Sequence, residues 1–551
     1  MEKKVSKRLP YGNTNFESIR TENYVYIDKT RYIELLENED NDKLFFTRPR
    51  KFGKSLFFST LSYYYDINQA GKFDQLFGDL YIGKHPTPRR NSYLVLNFNF
   101  SGLDTSNEER FMISFSQKVQ DVIYRFLNRY KYLFPEGDIY NKQIDDQKPG
   151  VASLWKAFSA AEAVGKKIYV IIDEYDHVAN DLIALGTYKG DDIYRNLIWA
   201  NGVIRDFYET LKEGCDTVVD RIILTGITPV MLDDVTSGFN ISNNISLDPI
   251  YNEMLGFTQD EVNTLMEETG VVASMINVDM ELFYNGYLFH QYGEHRVYNP
   301  SMMLYLFSQV LRYPKLIGNI IDDNLKMDYG RVERLLQNNR DRLTEIAQNN
   351  SILSEIVPKF SIKHLLDSNN FVSLLFYLGM LTVDKEEKGL LRLKIPNYSI
   401  RTVFWEYIEQ MLVDNNPDVL IDMTEQRIAM SELAYSGNPH PFIKCISKNI
   451  FSRLSNRDLR NFNEKYIKII LLHGLYQSNL YITITELEVS QGYTDIYMQR
   501  SHLLPDIPYE WVWEIKYIGK KDAAGNDVLK EKREEARVQL EKYHNSPMFA
   551  G

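Results

Sequence analysis

Cysteine is almost missing from this 551-residue chain, which carries only Cys215 and Cys445. Two thiols cannot build a disulfide framework or a cysteine zinc cluster, and they fit a reducing cytoplasm. Long apolar runs are missing as well. No stretch of about 18 uncharged apolar residues occurs, so no membrane span is expected. The best candidate, Phe371 to Thr382, is too short and reads as a buried helix. The first residues, Met1-Glu-Lys-Lys-Val-Ser-Lys-Arg8, carry charge with no apolar run behind it, which argues against a secretory signal. A basic excess is also absent. The formal net charge is −12, which counts against extensive nonspecific DNA binding but leaves room for a local basic groove. There is no internal repeat and no low-complexity tract.

What remains is an ordinary globular composition, 44% apolar and 25% charged, with 38 Tyr and 29 Phe to supply burial area. The length implies two or three domains. Residues 1–254 alternate strand-length apolar runs (Lys43 to Thr47, Tyr93 to Phe98, Ile168 to Ile172, Arg221 to Thr225) with helix-length segments (Ser55 to Asp66, Glu108 to Tyr130, Ile193 to Glu213). That order predicts an α/β domain with a mostly parallel sheet. Residues 255–454 read as a helical domain with a small hairpin near Leu390 to Ile395. Residues 455–551 read as helix (Phe462 to Leu475), strands (Leu480 to Val489, Tyr493 to Met498, Trp511 to Tyr517) and a charged helix from about 529 to 543.

The first region contains Leu44-Phe-Phe-Thr47, then Arg48-Pro49-Arg50-Lys51-Phe52-Gly53-Lys54-Ser55, then a helix pattern. A phosphate loop needs this strand, turn and helix start, because unpaired N–H groups at the helix N-terminus receive the anion. Gly53 permits close backbone approach, Lys54 can reach the outer phosphates, and Ser55 can ligate magnesium. The usual pattern begins with Gly where this chain has Arg48. A basic turn of no special function can also carry Gly-Lys-Ser. The strand Lys167-Ile-Tyr-Val-Ile-Ile172 ends in Asp173-Glu174. Asp173 can hold the magnesium water shell opposite Ser55, and Glu174 can polarise an attacking water. The alternative is a strand end capped by two solvated acids. Arg221-Ile-Ile-Leu-Thr225-Gly-Ile-Thr228 ends in hydroxyls that either sense the γ-phosphate or are ordinary strand-end threonines.

The chain resembles the bacterial AAA-ATPase-like family often found with a C-terminal PD-(D/E)XK nuclease-like domain. The matching residues are Leu9-Pro-Tyr-Gly12, Tyr26-Ile-Asp28-Lys29-Thr30, Arg48 to Leu56, Ile172-Asp-Glu-Tyr-Asp176, Thr225-Gly-Ile-Thr-Pro229, Asn285-Gly-Tyr287, Tyr298-Asn-Pro300 and Ile395-Pro-Asn397. The resemblance implies a P-loop fold for the first region, with ATP and Mg²⁺ as cofactors. It also makes Arg48 a typical first loop residue. Asp28-Lys29-Thr30 either lies near base or phosphates by analogy, or caps the helix at Tyr32 to Leu36. Arg221 and Arg296 are the candidate arginine fingers, unless a partner subunit supplies one. Many related ATPases form rings, so an oligomer stays open.

The third region places Asp495 on one strand and Glu514-Ile515-Lys516 on the next. Glu514 and Lys516 share a strand face, and Asp495 can meet them across the hairpin. Converging carboxylates with a nearby cation suit metal-dependent phosphodiester cleavage. An exposed strand edge with alternating charges is the alternative. By resemblance, Glu464, Asp495, Glu514 and Lys516 map onto the PD-(D/E)XK active-site positions, and Gln539 with Tyr543 onto the second helix. That fold expects a further strand where this chain reaches Gly551, so the domain is either minimal or cut short. Two functions follow. One is an ATPase coupled to a magnesium-dependent nuclease acting on nucleic acid, DNA before RNA. The other is a nucleotide-controlled switch whose nuclease-like domain only grips nucleic acid or a partner. A scaffold that holds nucleotide for stability is a weaker third.

Overall fold

The computed structural model describes residues 6–134, 151–177, 179, 202–230, 241–313, 339–361, 364, 367–415, 423–449, 464–476, 480–489, 492–501, 504–518 and 526–549. The chain forms two compact units that interleave in sequence. One comprises Met1–Met275, Tyr284–Asn338 and Leu353–Pro396, and the other Ile276–Phe283, Asn339–Ile352 and Asn397–Gly551. Among the described residues, no helix is long and apolar enough to cross a membrane.

The first unit is built on strands β1 (Lys43–Thr47), β2 (Leu94–Asn99), β3 (Ile168–Asp173), β4 (Val219–Gly226) and β5 (Asn243–Asn244). They form one sheet in the order β2-β3-β4-β1-β5, with every neighbouring pair parallel. All six residues of β3 are buried, as expected for a strand covered on both faces. Helices α1 (Lys54–Tyr65), α2 (Glu108–Arg129), α3 (Val151–Ala163) and α4 (Val203–Gly214) run between the strands. Helix α2 shows why they form. The Asn107 side chain accepts the Arg110 N–H at its start, and Phe111, Phe115, Val119, Val122 and Phe126 bury one face. The α/β class and the four main strands agree with the sequence reading to within a few residues. The helix expected over 193–213 is described only from Val203 onward.

The strand order has a consequence for the site. Strand β4 lies between β1 and β3, pairing Lys43 with Ile222 on one side and Val170 with Ile222 on the other. The loop strand and the acidic strand are therefore two strand spacings apart, roughly 10 Å.

The same unit also holds helices α5 (Pro300–Arg312) and α6 (Ser368–Tyr377) and the hairpin β6 (Thr382–Glu387) with β7 (Leu390–Lys394). The apolar run at Phe371 to Thr382 is not all helix. Gly379, at φ 78°, turns the chain after α6, and Thr382 already belongs to β6.

The second unit contains α7 (Glu464–Tyr476), β8 (Tyr481–Val489), β9 (Gly492–Arg500), β10 (Trp511–Trp513) and α8 (Asn526–His544). The three strands pair antiparallel in the order β10-β9-β8. Thr494, Ile496 and Met498 point inward, which puts Tyr493, Asp495 and Tyr497 on the other face of β9. The last strand is shorter than the expected Trp511 to Tyr517 and ends before Glu514.

Candidate functional site

The loop after β1 is held from behind. Arg48 is 2% exposed. Its guanidinium donates to the carbonyls of Thr47 (2.9 Å), Ser246 (2.7 Å) and Tyr251 (2.7 Å). It also stacks on the rings of Phe46 and Phe289 at 4.3 and 4.1 Å. Burial presses its pKa down to about 9, so it stays charged at neutral pH. Its side chain thus anchors the loop to the segment 246–251 instead of facing a ligand. Pro49 is buried, Arg50 half-buried and Lys51 exposed. Phe52 is buried edge-on against Tyr287 (4.9 Å) and Phe289 (5.6 Å). The carbonyls of Arg50 and Lys51 accept from the Asn299 side chain and the Ser301 N–H. Lys51 and Gly53 both have left-handed backbones, at φ 66° and 93°. Gly53 is therefore the residue that lets the turn close into α1.

Lys54 donates to the loop carbonyls of Arg48 (2.8 Å) and Pro49 (2.9 Å). Burial lowers its pKa to about 8, against the pull of Asp173, Asp176 and Glu174. The Ser55 hydroxyl donates to Asp173 Oδ2 at 2.7 Å. The start of α1 and the end of β3 therefore meet across the intervening strand. Burial raises the Asp173 carboxyl, opposed by the Ser55 hydrogen bond and Lys54. Burial also raises Glu174, and the Asp173 charge adds to the effect. Glu174 sits at φ 53°, a left-handed conformation uncommon outside glycine, and its side chain is 41% exposed.

The two flanking motifs lock into each other. Asp176 accepts the backbone N–H groups of Ile227 and Thr228 (2.8 Å) and the Thr228 hydroxyl (2.9 Å). The Tyr175 hydroxyl donates to the carbonyls of Thr228 (2.5 Å) and Val230 (2.9 Å), and its N–H to Thr225. Thr228 is thus committed to Asp176. The Thr225 hydroxyl is fully buried and has no hydrogen-bond partner among the described residues. Asn99, at the end of β2, donates to Asp173 Oδ2 at 3.5 Å.

The other candidates of the first region take structural places. Asp28 accepts from Thr30 and from the Tyr81 N–H, and Lys29 donates to the Glu253 carbonyl and Glu261 (2.6 Å). Arg221 is buried on Asp42 and the Leu36 carbonyl, and Arg296 bonds the carbonyls of Gly286 and Val383.

In the second unit, Asp495 Oδ2 accepts the Ile515 N–H at 2.8 Å. This side-chain contact follows the last β9–β10 pair, Ile496 with Trp513, and keeps Glu514 beside Asp495. Lys516 donates to Glu514 at 2.6 Å. Burial raises the Glu514 carboxyl, Lys516 opposes this, and Asp495 adds to it. Lys468 of α7, absent from the sequence reading, lies 3.5 Å from Asp495 Oδ1 and is itself buried. Asp495, Glu514 and Lys516 are therefore brought together, with a second lysine. Glu464 opens α7 one turn before Lys468, and its side chain lies outside the described residues. Tyr543 donates to the Tyr493 carbonyl at 2.8 Å, which ties α8 to β9.

Residues 10–236 match the family model described as a predicted AAA-ATPase, and residues 462–551 match that of the PD-(D/E)XK nuclease superfamily. An uncharacterized protein in the vnfD 5' region of Azotobacter chroococcum mcd 1 is 27% identical over 315 residues, which is 55% of this chain and 52% of that protein. The match thus spans about half of that relative's length. Among solved structures, the Walker-type ATPase PABY2304 of Pyrococcus abyssi aligns at TM-score 0.37 and 15% identity, covering 71% of this chain and 97% of that one. Cdc6p of Pyrobaculum aerophilum aligns at TM-score 0.26 and 10% identity, covering 72% of this chain and 98% of that one.

Proposed function

We propose, for a chain that joins an AAA-ATPase-like domain at residues 10–236 to a PD-(D/E)XK nuclease superfamily domain at 462–551, that it binds and hydrolyses ATP with Mg²⁺. The observation that carries this reading is the 2.7 Å contact between Ser55 and Asp173, which joins a phosphate-loop helix to an acidic strand end two strands away. A hydroxyl and a carboxylate are hard oxygen donors of the kind Mg²⁺ takes. When bound there, the ion offsets phosphate charge. The N–H groups at the start of α1 cradle the phosphates, and Lys54 turns from the Arg48 and Pro49 carbonyls to the outer phosphate. Glu174 accepts a proton from the attacking water. A bond forms from the water oxygen to the γ-phosphorus while the β–γ bridging bond breaks, and ADP leaves with the bridging oxygen. In this reading Thr225, on the strand between the loop strand and the acidic strand, is a further residue of the site.

The second unit supplies the output. There Asp495 and Glu514 would hold Mg²⁺, with Glu464 and Lys516 as further catalytic residues, acting on nucleic acid, DNA before RNA, in a cytoplasmic protein. One observation favours the alternative of an inactive, binding-only domain. Lys468 and Lys516 already engage the carboxylates of Asp495 and Glu514, so a metal ion must compete with two ammonium groups.

The test is ATP turnover by the full chain. Wild type should release phosphate with Mg²⁺, while Glu174→Gln should bind ATP and release none. A Glu174→Gln protein with wild-type turnover removes Glu174 from the reaction.

A further inference from the structure

The turn after β2 makes an unusual contact with the residue that follows the acidic motif. Asn99 Oδ1 accepts the Ser101 N–H at 2.9 Å, which folds the chain back in an Asx turn. Gly102 then sits at φ 71° and donates its N–H to His177 Nε2 at 3.1 Å. A backbone amide can only donate, so Nε2 must be the unprotonated nitrogen. In the neutral imidazole that leaves the ring proton on Nδ1. Nδ1 faces Glu174 Oε2 at 3.7 Å.

We propose that His177 is a positioning residue for Glu174, with its tautomer set by Gly102. The inference rests on the reading of Glu174 as the base of ATP hydrolysis. Three features support it. First, the Glu174 backbone is already fixed. Its N–H donates to Asp173 Oδ1 at 3.0 Å, the next N–H donates to Thr225, and the His177 N–H closes a turn on the Glu174 carbonyl at 3.1 Å. Only its side chain is left to steer. Second, the His177 side chain is 14% exposed while that of Glu174 is 41% exposed, so the ring is the fixed member of the pair. At 3.7 Å they make an electrostatic contact, and a small swing of the carboxylate closes it to a hydrogen bond. Third, an N–H donor facing one oxygen of a carboxylate fixes its orientation, which general-base catalysis requires.

The experiment is steady-state ATP turnover and nucleotide binding by the full chain carrying His177→Leu, His177→Gln or His177→Asn. Asn offers an N–H at the δ position, where the ring donor stands, whereas Gln offers its amide one bond further out. His177→Leu and His177→Gln should lower kcat about 10- to 100-fold with KM for ATP unchanged, as misorientation of a reacting group does. His177→Asn should restore most of the loss. If His177→Leu is too unstable to assay, the contrast between Asn and Gln decides. Wild-type kcat in His177→Leu, or an Asn variant no better than Gln, overturns the inference while leaving the ATPase reading intact. A wild type that hydrolyses no ATP overturns both.

Discussion

Gly226→Ala tests whether the acidic motif and the β4 motif hold each other. A methyl at Gly226 would fall 2.2 Å from Asp176 Oδ1, 2.6 Å from Tyr175 Cδ1 and 2.7 Å from Asp176 Cγ. Tyr175 has little room to yield, since its hydroxyl bonds two carbonyls and its ring packs edge-on against Phe45 at 5.0 Å. Asp176 must therefore move, and its contacts with Ile227 and Thr228 stretch or break. Overpacking costs about 1–3 kcal/mol, and a lost hydrogen bond to a charged acceptor about 1.5–3, so roughly 2.5–6 kcal/mol is expected for one broken bond. Urea denaturation of the full chain should show the transition of the first unit displaced by that amount. Nucleotide affinity should fall with it, because the Gly226 carbonyl accepts the Arg48 N–H at the root of the loop. A variant within about 0.5 kcal/mol of wild type would refute the interlocking, since that is the range of a neutral surface change.

Two further outcomes follow from the charges. The folded-state pKa of Asp173 is raised, so the folded chain holds that proton more tightly than the unfolded chain, and stability falls as pH rises through the window above the ordinary aspartate value. In chelator-containing buffer, Asp173→Asn should therefore be more stable than wild type at pH 7, with the gain vanishing below the unfolded-state value. Denaturation curves across pH 3 to 8 would read this, and Mg²⁺-dependent nucleotide binding should be lost in the same variant. Lys516→Ala should abolish any Mg²⁺-dependent cleavage of DNA while ATP binding persists, read on gels and by titration. Absence of cleavage in wild type with either Mg²⁺ or Mn²⁺ would leave the binding-only reading of the second unit.

Local pattern made much of this fold legible. The buried strand β3 declares itself by its unbroken apolar run, and α2 by an apolar face at helical spacing. The loop and the acidic pair were readable because each sits at the end of such an element. What could not be read depends on partners far along the chain. In sequence Arg48 is simply the first residue of the loop, and nothing there shows that the carbonyls of Ser246 and Tyr251 hold it as a buried strut. Asp176 and Thr228 gave no sign of pairing, because only the insertion of β4 beside β3 brings them together. Lys468 was hidden as one basic residue in an apolar helix, and its burial beside Asp495 emerges only when α7 packs against the sheet. His177 carried no signal beyond its place after the acidic motif.

The central claim is that the loop from Arg48 to Ser55 holds a nucleotide. Isothermal titration of the full chain with ATP and Mg²⁺ tests it most directly, with Lys54→Ala as the comparison. Saturable binding by wild type, lost in a folded Lys54→Ala protein, is the predicted result. No binding of ATP or GTP by wild type, or undiminished binding by Lys54→Ala, would contradict it.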